Sequence, residues 1–109
     1  MPSNQFVIVL TTLPAEGDAE KFASQLVEER LAACVNVLPA MRSVYRWKNA
    51  VERADERQIV IKTTKARVSA LEARIRQLHP YDVPEFVVLA VDSGTADYLS
   101  WLSDNTRPA

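Results

Sequence analysis

Phe6-Val-Ile-Val-Leu10 is a continuous apolar run, too short for a helix and apolar on both faces, which predicts a central strand buried on both sides. Pro14 and Gly17-Asp18 punctuate its end. Beyond them Ala19, Phe22, Ala23, Leu26, Val27 and Leu31 recur at helical spacing, while Glu20, Lys21, Glu28, Glu29 and Arg30 mostly fill the opposite side. That pattern predicts an amphipathic helix reaching Leu31 and lying on a sheet, with Asp18 or Gly17 as its N-cap.

The next stretch changes period. Cys34-Val-Asn-Val-Leu38 and Ser43-Val-Tyr-Arg-Trp47 favour strand and are broken by Pro39, which belongs at an edge or a bulge, so one long kinked strand is expected. Lys48-Asn49-Ala50 supplies a turn, Asn tolerating positive φ. The chain returns through a charged margin, Glu52 to Arg57, expected to be exposed, into the strand Gln58 to Thr63. A second amphipathic helix follows, with Val68, Leu71, Ile75 and Leu78 on one stripe and Glu72 and Arg76 at i,i+4. Pro80 ends it, and His79-Pro-Tyr-Asp-Val-Pro84 is a stiff connector. Phe86 to Val91 is a fourth strand, apolar on both faces. Ser93-Gly-Thr95 opens a last helix carrying Tyr98, Leu99, Trp101 and Leu102. The fold class is α+β: a ferredoxin-like βαββαβ domain over 1–109, with a long central β-hairpin and a C-terminal helix.

That hairpin is too long for the domain. Arms of roughly 13 to 15 residues reach about 45 Å, so the outer ribbon protrudes and needs a partner, most simply other copies of the chain. Tyr45 and Trp47 lie on one face of the arm and Val44 on the other. The protein is expected to be a homo-oligomer.

Charge and composition narrow the function. Thirteen basic residues against 14 acidic ones leave no field to attract nucleic acid or a membrane surface. The opening residues lack the character of a secretory signal, no run is long enough to span a bilayer, and Cys34 is alone, all of which favours the cytoplasm. One cysteine and one histidine exclude zinc sites of CxxC or HxxxH spacing. With two glycines there is no phosphate loop, and no nucleophile–base or paired-carboxylate spacing marks an enzyme.

Leu31-Ala-Ala-Cys-Val-Asn36, Ser43-x-Tyr45-x-Trp47, Glu56, Lys62-Thr63, His79-Pro-Tyr-Asp-Val-Pro-Glu85 and Tyr98-x-x-Trp101 resemble, in order, the CutA family, named for divalent-cation tolerance. The resemblance runs from Phe6 to Trp101. It implies a cytoplasmic homotrimer built like the PII signalling proteins, associated with copper tolerance and with no assigned reaction. Two turn positions depart from the family's glycines, Asn49 and Ala40. In some bacterial members copper is held by residues whose counterparts here are Thr11, Leu78 and His79. Only the imidazole survives, so binding of copper or another divalent cation is expected to be weak or accessory unless Cys34, Glu85 or symmetry-related histidines help.

The candidate residues therefore fall into two sets. His79 and Cys34 are candidate metal ligands; the alternatives are a general base or, preferred, a helix-end cap for His79, and a small core residue for Cys34. Tyr45, Trp47, Glu56, Lys62 and Tyr81 are candidates for an intersubunit pocket taking a small ligand or a protein segment. Glu56 and Lys62, about 20 Å apart along one strand, can meet only between chains. Tyr98 and Trp101 read as interface or core packing.

Overall fold

The computed structural model describes residues 5–108. Strand β1 (Phe6–Pro14) leads to helix α1 (Ala19–Glu28), then strands β2 (Cys34–Trp47) and β3 (Ala50–Thr64), a 3-10 turn (Lys65–Arg67), helix α2 (Val68–Leu78), strand β4 (Val87–Ala90) and helix α3 (Ala96–Asp104). The sheet is antiparallel in the order β2-β3-β1-β4, so β1 is central and β2 and β4 are its edges.

Strand pleat divides the side chains cleanly. Val7, Val9 and Leu13 of β1 and Ile59 and Ile61 of β3 pack with Phe22 and Leu26 of α1 and Leu71 and Ile75 of α2 in one core. The alternate residues point to the other face. There α3 covers one end, where Leu102 is buried with Phe6 and Ala33, while Ile8, Leu10, Gln58, Val60 and Lys62 stay half-exposed.

Helix α1 stops earlier than its apolar spacing predicts. Asp18 caps its start, accepting the Lys21 N–H at 3.0 Å. At its end Arg30 takes φ 61°, and Arg30 N–H donates to Val27 O and Leu31 N–H to Leu26 O. This is a Schellman ending with arginine where glycine is usual. Leu31 is buried in the core as the hydrophobic partner of that ending, which is why it matches the helical stripe without being helical. The Arg30 side chain gives its position a second use: Nε donates to Arg107 O at 2.5 Å and Nη2 to Asp104 O at 2.7 Å, tying α1 to the end of α3.

The long ribbon is present, its strands 14 and 15 residues long, and the molecule's long axis is 44 Å. Its tip is a two-residue turn in which Lys48 and Asn49 both have positive φ, 49° and 67°, the twist a tight hairpin requires. The register slips between Val37 and Ala40: Leu38 and Pro39 stand opposite Gln58 alone. This bulge has a large consequence. Before it, Val35 and Val37 pair with Ile61 and Ile59 on the helix side; after it, Met41 and Tyr45 pair with Glu56 and Glu52 on the opposite side. Because the bulge absorbs one residue, Tyr45 and Trp47 lie on the open face, where unbroken alternation from Val37 would have put them on the helix side.

Strand β4 is shorter than predicted, though Val91 N–H still donates to Phe6 O. Its Val87, Val88 and Leu89 are 45%, 41% and 46% exposed, because an edge strand has nothing outside it within one chain.

Candidate functional site

On the open face the bulged half of the ribbon and the 80–85 connector enclose a groove of about 840 Å³. Tyr45 and Trp47 of β2, Glu56 and Gln58 of β3, and Tyr81 and Glu85 of the connector line it. Four of the five residues predicted for a pocket thus come together in a single chain. Lys62 does not join them: it pairs with Cys34 six residues further along β3, where it is half-buried.

Glu56 is the correction to the expected exposed margin. Its neighbours Arg53 and Asp55 are exposed, but Glu56 keeps only 7% of its surface, because its partners Met41 and Pro14 flank it on the same face. Its Oε2 accepts the Tyr81 hydroxyl at 2.9 Å. Burial, that hydrogen bond, the carboxylate's charge and nearby Tyr45 push the Tyr81 phenol up to about 12. The tyrosine therefore stands as a neutral donor beside the carboxylate.

Gln58, two residues from Glu56 and so on the same face, ties the other wall down: its Nε2 donates to Thr11 O at 2.8 Å and to Glu85 Oε2 at 2.9 Å. Gln58 and Glu85 are site residues that motif reasoning passed over as pocket members. Strand parity with Glu56 was the signal available for Gln58.

His79 positions the connector from beneath. It is buried, 8% exposed, at the C-cap of α2. Its Nδ1 accepts the Tyr81 N–H at 3.1 Å, which leaves the proton on Nε2 to donate to Thr12 O at 2.6 Å. Its ring lies 4.8 Å from that of Tyr81. Both ring nitrogens are spent on backbone groups of its own chain.

The fold agrees with comparisons to known proteins. The family model described as CutA1 divalent ion tolerance protein matches residues 7–105. The chain belongs to the CutA1 family. It is 46% identical to the divalent-cation tolerance protein CutA of Thermus thermophilus over 91% of this chain and 96% of that one. It is 38% identical to the chloroplastic protein CutA of Arabidopsis thaliana, over 93% of this chain and 56% of that longer one. Among solved structures, CutA1 from Oryza sativa superposes with a TM-score of 0.91 at 34% identity, covering 98% of each chain. The divalent cation tolerance protein from Thermus thermophilus gives 0.90 at 45% identity, covering 94% of this chain and 99% of that one. This CutA1-family chain is thus a divalent-cation tolerance protein of ferredoxin-like fold, and the family's name states a tolerance and no reaction.

The predicted metal ligands do not fit a copper centre within this chain. Thr11 is fully buried on the core side of β1, in the row of Val9 and Leu13, and its Oγ1 has no hydrogen-bond partner among the described residues. Leu78 packs against the core. His79 offers no free nitrogen lone pair. Cys34 is a free, half-buried thiol level with Lys62, while His79 is level with Thr12 and its partner Gln58, about 13 Å away along β3. Among the described residues no three His, Cys, Asp or Glu side chains gather as a metal would need. No described helix is long and apolar enough to cross a membrane.

Proposed function

We propose that this chain serves divalent-cation tolerance as a cytoplasmic homotrimer of PII-like build that takes a ligand into the Tyr45–Trp47–Glu56–Tyr81 groove, rather than copper onto His79 and Cys34. One observation carries the reading: the Glu56 carboxylate is buried at the base of an aromatic-walled groove, while the His79 imidazole is fully occupied by Thr12 and Tyr81. A buried charge with room above it suits ligand recognition; an imidazole without a free nitrogen does not suit ligation.

The oligomer is supported by surfaces one chain leaves uncovered. Among the described residues both sheet edges are unpaired, and Val44 of β2 and Val87, Val88 and Leu89 of β4 are exposed apolar residues along them. Rotational closure is the common way to use such edges. Threefold symmetry and the PII likeness rest on the family resemblance, and the cytoplasm on the lone free cysteine. Native mass spectrometry of the metal-stripped protein during a Cu(II) titration tests the proposal. A trimer gaining only gradual adducts is expected; saturation at a whole number of coppers, lost in Cys34→Ala, would overturn it.

A further inference from the structure

Resting on the groove reading for its consequence, we propose that the outer ribbon has two registers open to it and that Arg57 holds the one in which the groove exists. The ribbon has one residue more than its inner pairing needs. Carried outward from Val37 and Ile59 without a bulge, that pairing would set Ser43 opposite Arg53 and Arg46 opposite Ala50, leaving Trp47-Lys48-Asn49 as a three-residue tip. The chain instead places the extra residue at Leu38 and Pro39 and closes on the two-residue tip Lys48-Asn49. Both loop lengths are common in hairpins, and a three-residue loop wants left-handed backbone only at its last place, which Asn49 suits. The longer tip would free Lys48 from a φ of 49° that its side chain disfavours.

Three features hold the observed register, all within one chain. Pro39, without an N–H, suits the extra place in the bulge. Arg42 pairs with Asp55 directly opposite at 2.8 Å, but both side chains are exposed, so the pair contributes little. Arg57 is half-buried opposite Ala40, the first residue after the bulge, and its Nη1 donates to Leu38 O at 3.2 Å. It joins none of the ion pairs of the described residues, and this is its one side-chain hydrogen bond among them. In an unbroken ladder strand carbonyls lie in the plane of the sheet and Arg57 would stand off it, so the contact belongs to the bulged form. A charged donor on the bulge's own carbonyl is the strongest of the three features. A one-residue slip would turn Tyr45 to the side of Ile59 and carry Trp47 into the tip, away from Glu56 and Tyr81. Arg57 is therefore a positioning residue for the groove walls.

Disulfide trapping in the full-length protein carrying Cys34→Ser reads the register directly. In the observed register Ser43→Cys and Ala54→Cys stand opposite each other and should cross-link within the chain, whereas Ser43→Cys and Arg53→Cys point to opposite faces and should not. Adding Arg57→Met should raise the ratio of the second cross-link to the first about tenfold or more. Arg57→Lys, which still carries a charged donor, should keep that ratio low. In a chain lacking Pro39 no residue is left to move, so Arg57→Met should leave the ratio unchanged. The chain has two tryptophans, so Trp101→Phe leaves Trp47 as the single fluorescent reporter, and its emission should shift with Arg57→Met. A ratio unmoved by Arg57→Met, raised alike by Arg57→Lys, or raised equally without Pro39 would overturn the proposal. The cross-links need no ligand, so their outcome stands apart from that of the copper titration.

Discussion

Tyr81 and His79 show how much of the groove rests on single side chains. With its phenol pushed up to about 12, Tyr81 keeps its proton in the folded chain after an unfolded one has lost it. Its contribution to stability is therefore complete below the ordinary phenol value of about 10 and is lost as pH rises from there through about 12. Urea midpoints taken at about pH 9 and about pH 11 should fall further for the native chain than for Tyr81→Phe; equal falls would contradict the role assigned to this hydroxyl. His79→Ala leaves the Thr12 carbonyl and the Tyr81 amide without their partner, and should cost about 1–3 kcal/mol in chemical denaturation, with no loss of copper affinity in a matched titration. The aromatics Tyr45 and Trp47 were legible from sequence, because alternate spacing in a strand fixes a shared face. The occupation of His79 was not, since one of its partners lies 67 residues away. Nor was the burial of Glu56, which depends on flanking residues from two other strands.

Among the elements, the β2 bulge decides whether a groove exists at all. Leu38 and Pro39 together face Gln58, and by absorbing one residue there the bulge keeps Tyr45 and Trp47 on the face of Glu56. Deleting Pro39 leaves Leu38 alone opposite Gln58, so Ala40 onward keep their partners and Trp47 should keep its face, whereas inserting one residue that the bulge does not absorb should turn it over. In the Trp101→Phe background the Pro39 deletion should therefore leave the emission of Trp47 unchanged, with the strand content in circular dichroism retained; a shifted emission maximum would contradict the parity argument. At the ribbon tip, Lys48 and Asn49 both hold left-handed backbone, which favours Asn-Gly in a two-residue turn. The double change Lys48→Asn with Asn49→Gly should stabilise the protein by about 1 kcal/mol, read as a raised denaturation midpoint. The proline marked the kink in the sequence and Asn49 marked the turn. The end of α1 was hidden because Arg30 takes a conformation that side chains rarely adopt, while Leu31 continues the apolar stripe.

For the whole molecule, the element order and the antiparallel sheet could be read from hydrophobic periodicity alone, since each strand and helix keeps its own period. What periodicity could not give is which apolar strand lies at an edge: β1 and β4 look alike in sequence, yet β1 is central and largely buried while β4 is exposed along its length. In the trimer proposed here that edge is covered, so Val88→Lys should shift the assembly toward monomer in sedimentation velocity, whereas an unchanged trimer would place the interface elsewhere. The central claim is that tolerance depends on the groove and not on a copper centre at His79 and Cys34. Growth in rising copper concentrations, in a host whose own copy of the gene is replaced by this one, tests it most directly. Glu56→Gln should lose tolerance while Cys34→Ala keeps it; full tolerance with Glu56→Gln, or its loss with Cys34→Ala, would contradict the account.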